Sequence, residues 1–320
     1  MKPTATLSLD LDNLWCYLKV HGDPEWQKLP SYLESAVPRL LRFFAERELR
    51  PTVFVVGHDC QVDANRKALA ELGSSGLEIA NHSFHHEPWL HLMTPGEIEE
   101  EIATAEAGIE NATGVRPRAF RGPGYSLSEA TLGVLVKRGY LYDASILPSF
   151  LGPLARAYYF FHSQLGAADR RRRSGLFGDV RQGLLPLRPF RWEVPGGSLL
   201  ELPITTLPLL RIPFHISYLL YLSTISPAAA RAYFRLALRT CDAAGLGPSL
   251  LLHPLDLLGG DELRGLEFFP GMQLSSAQKL ERVSGYLAEY CERYAVRPLG
   301  ELAAELSVPD AKLQCLPFDR

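Results

Sequence analysis

The sequence predicts an α/β fold built on parallel strands, from three observations. Short apolar or β-branched runs alternate with amphipathic helical stretches through residues 5–145, and the alternation returns after residue 225. The length, 320 residues, suits one large barrel-like domain. Hydrophobic residues are 47% of the total, enough for a large core.

The elements follow in order. Residues 5–11 read as a buried strand. Ser31 and Glu34 form a capping-box pattern ahead of an amphipathic run through Leu40, Leu41, Phe43 and Phe44. Residues 51–56 are a strand stopped by Gly57. Residues 63–72 read as a helix, and 77–80 as a strand ending at Asn81-His82-Ser83. Thr94 and Glu97 make a second capping box, opening a helix with Ile98, Ile102, Ala105 and Ile109 on one side. Ala119-Phe120 leads into the turn Arg121-Gly-Pro-Gly-Tyr125. Ser126 and Glu129 cap a third helix ending near Gly139, and 140–144 form the next strand.

Residues 146–225 differ from this pattern. They are rich in Pro, Leu, Phe and Tyr and carry the run Arg170-Arg-Arg-Arg173. They are expected to be an insertion within a single 1–320 catalytic domain rather than a separate domain. After them, 228–243 is helical, 249–252 a strand, 275–294 a long helix, 296–299 a last strand and 300–306 a last helix.

Composition excludes some classes. The net charge of −3 gives no global basic field for nucleic acid. Five scattered cysteines without a CxxC pair argue against a disulfide framework and a thiolate zinc site. The first residues reach Asp10 before the apolar run of about 7–15 residues that a signal peptide needs. No stretch approaches the ~20 apolar residues of a membrane span. The expectation is a cytoplasmic protein, with peripheral contact to the inner face of the membrane left open.

Four groups carry chemistry, each at or beyond the carboxyl end of a predicted strand, where parallel barrels place their sites. Asp10 and Asp12 alternate along one strand and so share a face. Two carboxylates on one buried face repel unless a positive charge joins them. His82-Ser-Phe-His85-His86 supplies imidazoles, and imidazole with carboxylate suits zinc and similar ions. His82 and His86 point to one centre in a turn, with His85 as an alternative second ligand. Arg121 can pair a carboxylate, and the glycines after it let backbone N–H groups approach a ligand. His253 ends the apolar strand Leu250-Leu-Leu.

In this order the four resemble the polysaccharide deacetylase family, carbohydrate esterase family 4 with the NodB-homology fold. The matching parts are Asp10/Asp12, His82-Ser-Phe-His-His86, Arg121-Gly-Pro123 and Leu250-Leu-Leu-His253. The Asp-x-Asp form, followed here by Asn13, is similar to a branch that includes deacetylases and deformylases of bacterial cell-surface sugars. The resemblance implies a distorted (β/α)7 barrel. It implies that Asp12, His82 and His86 hold a divalent metal, most readily zinc, and that Asp10 is the general base, held by Arg121. His253 is then the general acid, supported by Asp143 or Asp256, and Gly124 with Tyr125 borders the oxyanion.

The implied function is hydrolysis of an N-acetyl or N-formyl group on an amino sugar of the cell envelope. The alternatives are an amidase of small cyclic or linear amides and an inactive glycan- or lipid-binding protein. The apolar stretches 150–161 and 207–222, with Arg170–Arg173 between them, raise the expectation of a lipid-linked glycan substrate.

Overall fold

The computed structural model describes residues 2–152, 180–308 and 312–318. Its strands are β1 (Thr4–Leu11), β2 (Thr52–Val55), β3 (Glu78–Asn81), β4 (Ala119–Phe120), β5 (Tyr142–Asp143), β6 (Phe190–Val194), β7 (Gly197–Glu201), β8 (Ser249–Leu252), β9 (Ala295–Arg297) and β10 (Cys315–Pro317). The α-helices are α1 (Leu14–His21), α2 (Leu33–Ala45), α3 (Arg66–Gly73), α4 (Pro95–Thr113), α5 (Glu129–Lys137), α6 (Ile216–Ile225), α7 (Pro227–Ala243), α8 (Ser276–Arg293) and α9 (Leu299–Leu306).

The expected α/β architecture is present. Strands β8, β1, β2, β3, β4, β5 and β7 lie side by side in that order, every neighbouring pair parallel. No hydrogen-bonded ladder closes these seven strands into a ring. The chain leaving β7 makes the last step instead. Thr205 N donates to Ser249 O at 3.1 Å, and Ser249 N donates to the Thr205 hydroxyl at 2.7 Å. The barrel is distorted because its seventh junction is two hydrogen bonds wide.

Strand β1 shows why the site sits inside. Ala5, Leu7, Leu9 and Leu11 join the apolar layer that includes Leu40 and Phe44 of α2. The alternate residues Thr6, Ser8 and Asp10 are buried too, on the opposite face. A strand covered on both faces can keep a polar inner row only if partners meet it there.

Several local expectations need correction. The Thr94–Glu97 capping box forms, but the Ser31–Glu34 one does not. The Ser31 hydroxyl bonds Asn65 instead, and the helix starts at Leu33 with Tyr32 at its N-cap. Ser128, not Ser126, caps α5, because the turn through Tyr125 places the Ser126 hydroxyl against His91 N. The hairpin β6–β7 and helix α6 went unread, although both fall within 146–225. Phe190-Arg-Trp-Glu-Val194 alternates and is followed by Pro195-Gly196-Gly197, a strand-and-turn signal. The Arg170–Arg173 run and most of the 150–161 stretch lie outside the described residues. No helix among the described residues is long and apolar enough to cross a membrane.

Candidate metal centre and active site

Asp12, His82 and His86 meet. One ligand atom from each lies within 4.8 Å of the others, and all three residues are buried. Asp12 follows β1, and His82 follows β3, which is two strands along. The segment after β3 turns tightly, with Ser83 at φ 61° and His86 at φ 52°. Positive φ at two non-glycine residues is costly. Here the loop is tied from several sides. Glu101 of α4 accepts the backbone N–H of Phe84 and His85, Asn81 accepts that of Ser83, and Lys19 donates to the His85 carbonyl.

The same ties separate the two candidate second ligands. His85 turns outward, half-exposed, and its Nδ1 pairs with Glu101. His86 turns inward, with Nε2 3.1 Å from Asp12 Oδ1. His82 Nε2 lies 3.4 Å from the same oxygen. His82 Nδ1 is 2.7 Å from the Arg121 carbonyl, so the bonding pattern puts its proton on Nδ1 and the Nε2 lone pair toward Asp12. Lone pairs on oxygen and nitrogen then face each other without a hydrogen between them. Asp12 Oδ1 is buried and has no hydrogen-bond donor. Ligand atoms around a tetrahedral ion at ~2.0–2.1 Å are spaced by about 3.3 Å, so a cation fits this donor set.

Asp10 stands beside this centre. Arg121 Nη1 donates to Asp10 Oδ1 at 2.6 Å and to the Ser8 hydroxyl at 3.0 Å. Arg121 is fully buried, with its guanidinium over the Phe54 ring at 4.1 Å and its Nε on the Ala144 carbonyl. The other Asp10 oxygen, Oδ2, lies 4.0 Å from His82 Nε2. In the glycine turn, Gly124 (φ 58°) and Tyr125 (φ 65°) are both left-handed. Tyr125 N–H and Ser126 N–H close the turn on Gly122 O and Pro123 O, and that of Gly124 is outside these bonds. A Cβ on Gly122 would sit 1.9 Å from Ser126 O, so only glycine fits there.

His253 follows β8. Leu9 pairs with Leu252, so Asp10 and His253 are the next residues along their adjacent strands. Of the two candidate supporters, Asp143 is elsewhere. It bonds Ser145 and pairs with Glu201 across the β5–β7 register. Burial and the proximity of Asp143 push Glu201 well above its ordinary range. Asp256 is adjacent to His253: its Oδ2 accepts His253 N–H at 2.8 Å and lies 4.0 Å from Nδ1. The group nearest Nδ1 is the Ser217 hydroxyl, at 3.1 Å. His215 also borders His253, its ring centroid 5.9 Å away. Sequence reasoning missed Ser217 and His215, and no motif marks them; their approach depends on how α6 packs against β8.

A second group supports Asn13 and Trp15. Asp59 is fully buried and accepts Asn13 Nδ2 at 2.7 Å and Trp15 Nε1 at 2.8 Å. Burial pushes its carboxyl up to about 7 despite these donors.

Three buried potential metal ligands gathered at the carboxyl ends of parallel strands make this the candidate site of an α/β fold. The family model for polysaccharide deacetylase matches residues 25–142. The resemblance read from the motifs is borne out over that stretch. The match contains His82, His86 and Arg121 and leaves out Asp10, Asp12 and His253. A peptidoglycan deacetylase of Helicobacter pylori is 28% identical over 120 residues, 38% of this chain and 40% of that protein. A peptidoglycan deacetylase-like protein of Gibberella zeae is 33% identical over 109 residues, 34% of this chain and 30% of that one. These matches therefore span less than half of the relatives' own lengths. A crystal structure from Mycobacterium smegmatis, provisionally named a polysaccharide deacetylase, aligns over 99% of this chain and 94% of its own, with a TM-score of 0.62 at 18% identity. It supports the fold alone.

Proposed function

We propose that this chain is a metal-dependent hydrolase that removes an N-acetyl or N-formyl group from an amino sugar of a cell-envelope glycan. The carrying observation is the unpartnered Asp12 Oδ1 facing two imidazole nitrogens beside an Arg-held carboxylate. The peptidoglycan deacetylase names of the partial relatives supply the substrate class.

Asp12, His82 and His86 would hold the ion, and the nitrogen-and-oxygen donor set favours zinc. A bound divalent ion supplies Lewis-acid polarisation of the acyl carbonyl and lowers the pKa of water. Arg121 fixes one oxygen of Asp10, leaving Oδ2 to take a proton from the attacking water. The Gly124 N–H is the donor for the developing oxyanion, with Tyr125 at its side. His253 gives a proton to the departing amine, without which an amide does not break. Both a base and an acid at hand favour an enzyme over an inactive glycan- or lipid-binding protein.

The test is metal content together with a hydrolysis screen on acetylated and formylated amino sugars and small amides. Stoichiometric zinc with amine release from a sugar is expected. A metal-free protein, or turnover of small amides alone, would sink this reading.

One observation favours a lipid-linked form of the substrate. Leu209 is 92% and Leu210 62% exposed on the loop leading into α6, and Tyr218, Tyr221 and Ile225 are exposed on α6 itself. Exposed leucines and tyrosines beside a site suit the edge of a bilayer. Co-sedimentation with anionic liposomes is expected, with loss on replacing Leu209 and Leu210 by serine. An unchanged pellet in that variant removes the lipid reading.

A further inference from the structure

Helix α6 begins against the candidate acid, and its first turn does more than pack there. His253 Nδ1 faces the Ser217 hydroxyl at 3.1 Å. The Asp256 carboxylate, anchored by His253 N–H at 2.8 Å, is close enough to the same hydroxyl for Ser217 to oppose the rise that burial imposes on its pKa. The carboxylate is too far from the ring, at 4.0 Å, to bond it directly. A hydroxyl has one proton to give and lone pairs to receive. If His253 Nδ1–H donates to Ser217, the Ser217 O–H is left to point at the Asp256 carboxylate.

We propose that Ser217 is a positioning residue that relays Asp256 to His253, fixing the ring so that Nε2 faces the substrate. This rests on the proposed function, in which His253 is the acid. No proton leaves Ser217 or Nδ1 in the relay; the bonds orient the ring and stabilise its charged form through Asp256. The other charged or titratable neighbours are His215 and Lys279, with Tyr17 near Asp256. His215 is only 6% exposed, and its Nδ1 lacks a partner. Lys279 donates to the carbonyls of Leu255 and Leu258, beneath Asp256. Segment 146–225 would thereby contribute to the chemistry.

The experiment compares wild type, Ser217→Ala, Ser217→Thr and His253→Ala as zinc-loaded full chains. Imidazole 15N shifts are read first, with His253→Ala identifying the resonance. Wild type and Ser217→Thr should show His253 protonated at Nδ1 in its neutral form, and Ser217→Ala a mixture of tautomers. On the acylated sugar, kcat of Ser217→Ala should fall about tenfold to a hundredfold with KM little changed, and threonine should restore it. A wild-type His253 spectrum in Ser217→Ala overturns the relay, even if activity falls, because the loss then comes from packing. Unchanged kcat in Ser217→Ala overturns it as well. A wild type inactive on every acylated sugar defeats the functional reading instead, and the spectra still decide the relay.

Discussion

The two walls of the site are built differently. The wall carrying Asp10, Asp12, His82, His86 and Arg121 comes from strands β1, β3 and β4 and their loops, and its side chains are almost wholly buried. Each is held by inner polar groups or by a neighbouring ligand. The wall carrying His253 joins β8 to the first turn of α6: Ser217 meets the ring, and Asp256 holds only the backbone N–H of His253. The first wall has the over-determined character that a fixed ion requires. The second depends on the docking of α6, an element far away in the sequence.

That contrast can be broken by substitution, starting with the largest expected effect. Asp12→Ala should abolish stoichiometric metal and lower kcat/KM by roughly 10³-fold or more, read by metal analysis and hydrolysis. Retained metal would show that the first wall is not the ion site. Arg121→Ala leaves Asp10 buried without its cation and should cost about 3–5 kcal/mol in denaturant unfolding. A cost below ~1 kcal/mol would mean that this wall is no tighter than the other.

Asp59 sharpens the comparison through pH. Its folded pKa of about 7 lies above the ordinary 3.8, so the folded state keeps a proton that the unfolded chain has lost. Its contribution is intact below the unfolded value and is lost as pH rises through the folded one. Asp59→Asn should therefore gain on wild type by up to about 4 kcal/mol between pH 4 and 8. A constant difference across that range would place the Asp59 proton elsewhere. The smallest effect belongs to His85→Ala. With the ring turned to Glu101, metal content should stay the same and activity fall less than about tenfold. Loss of metal would make His85 a ligand and undo the division of the histidine loop.

The first wall was legible in the sequence because its residues are local in kind. Alternation on one strand put Asp10 and Asp12 on one face, and a short loop limited where His82 and His86 can point. Which of His85 and His86 turns inward was not legible, since Glu101 decides it from 15 residues or more down the chain. The second wall was only half legible. His253 carried a motif, but Ser217 is one serine among many until α6 docks on β8. The choice between Asp143 and Asp256 depended on the β5–β7 register, where Glu201 claims Asp143. The β6–β7 hairpin was masked by the proline-rich composition around it, although its alternation was present.

The narrow junction at Thr205 and Ser249 has a consequence for how the molecule assembles. Ser8 in β1 pairs on one side with Thr52 and on the other with Leu251. The first pairing closes a short loop; the second waits for most of the chain to fold back, which is slow and held at its outer edge by two hydrogen bonds. A chain emerging during synthesis would complete its ligand set long before β8 arrives with the acid. The Asp12, His82 and His86 cluster therefore depends on the early strands alone, while the placement of His253 depends on the last seam to close.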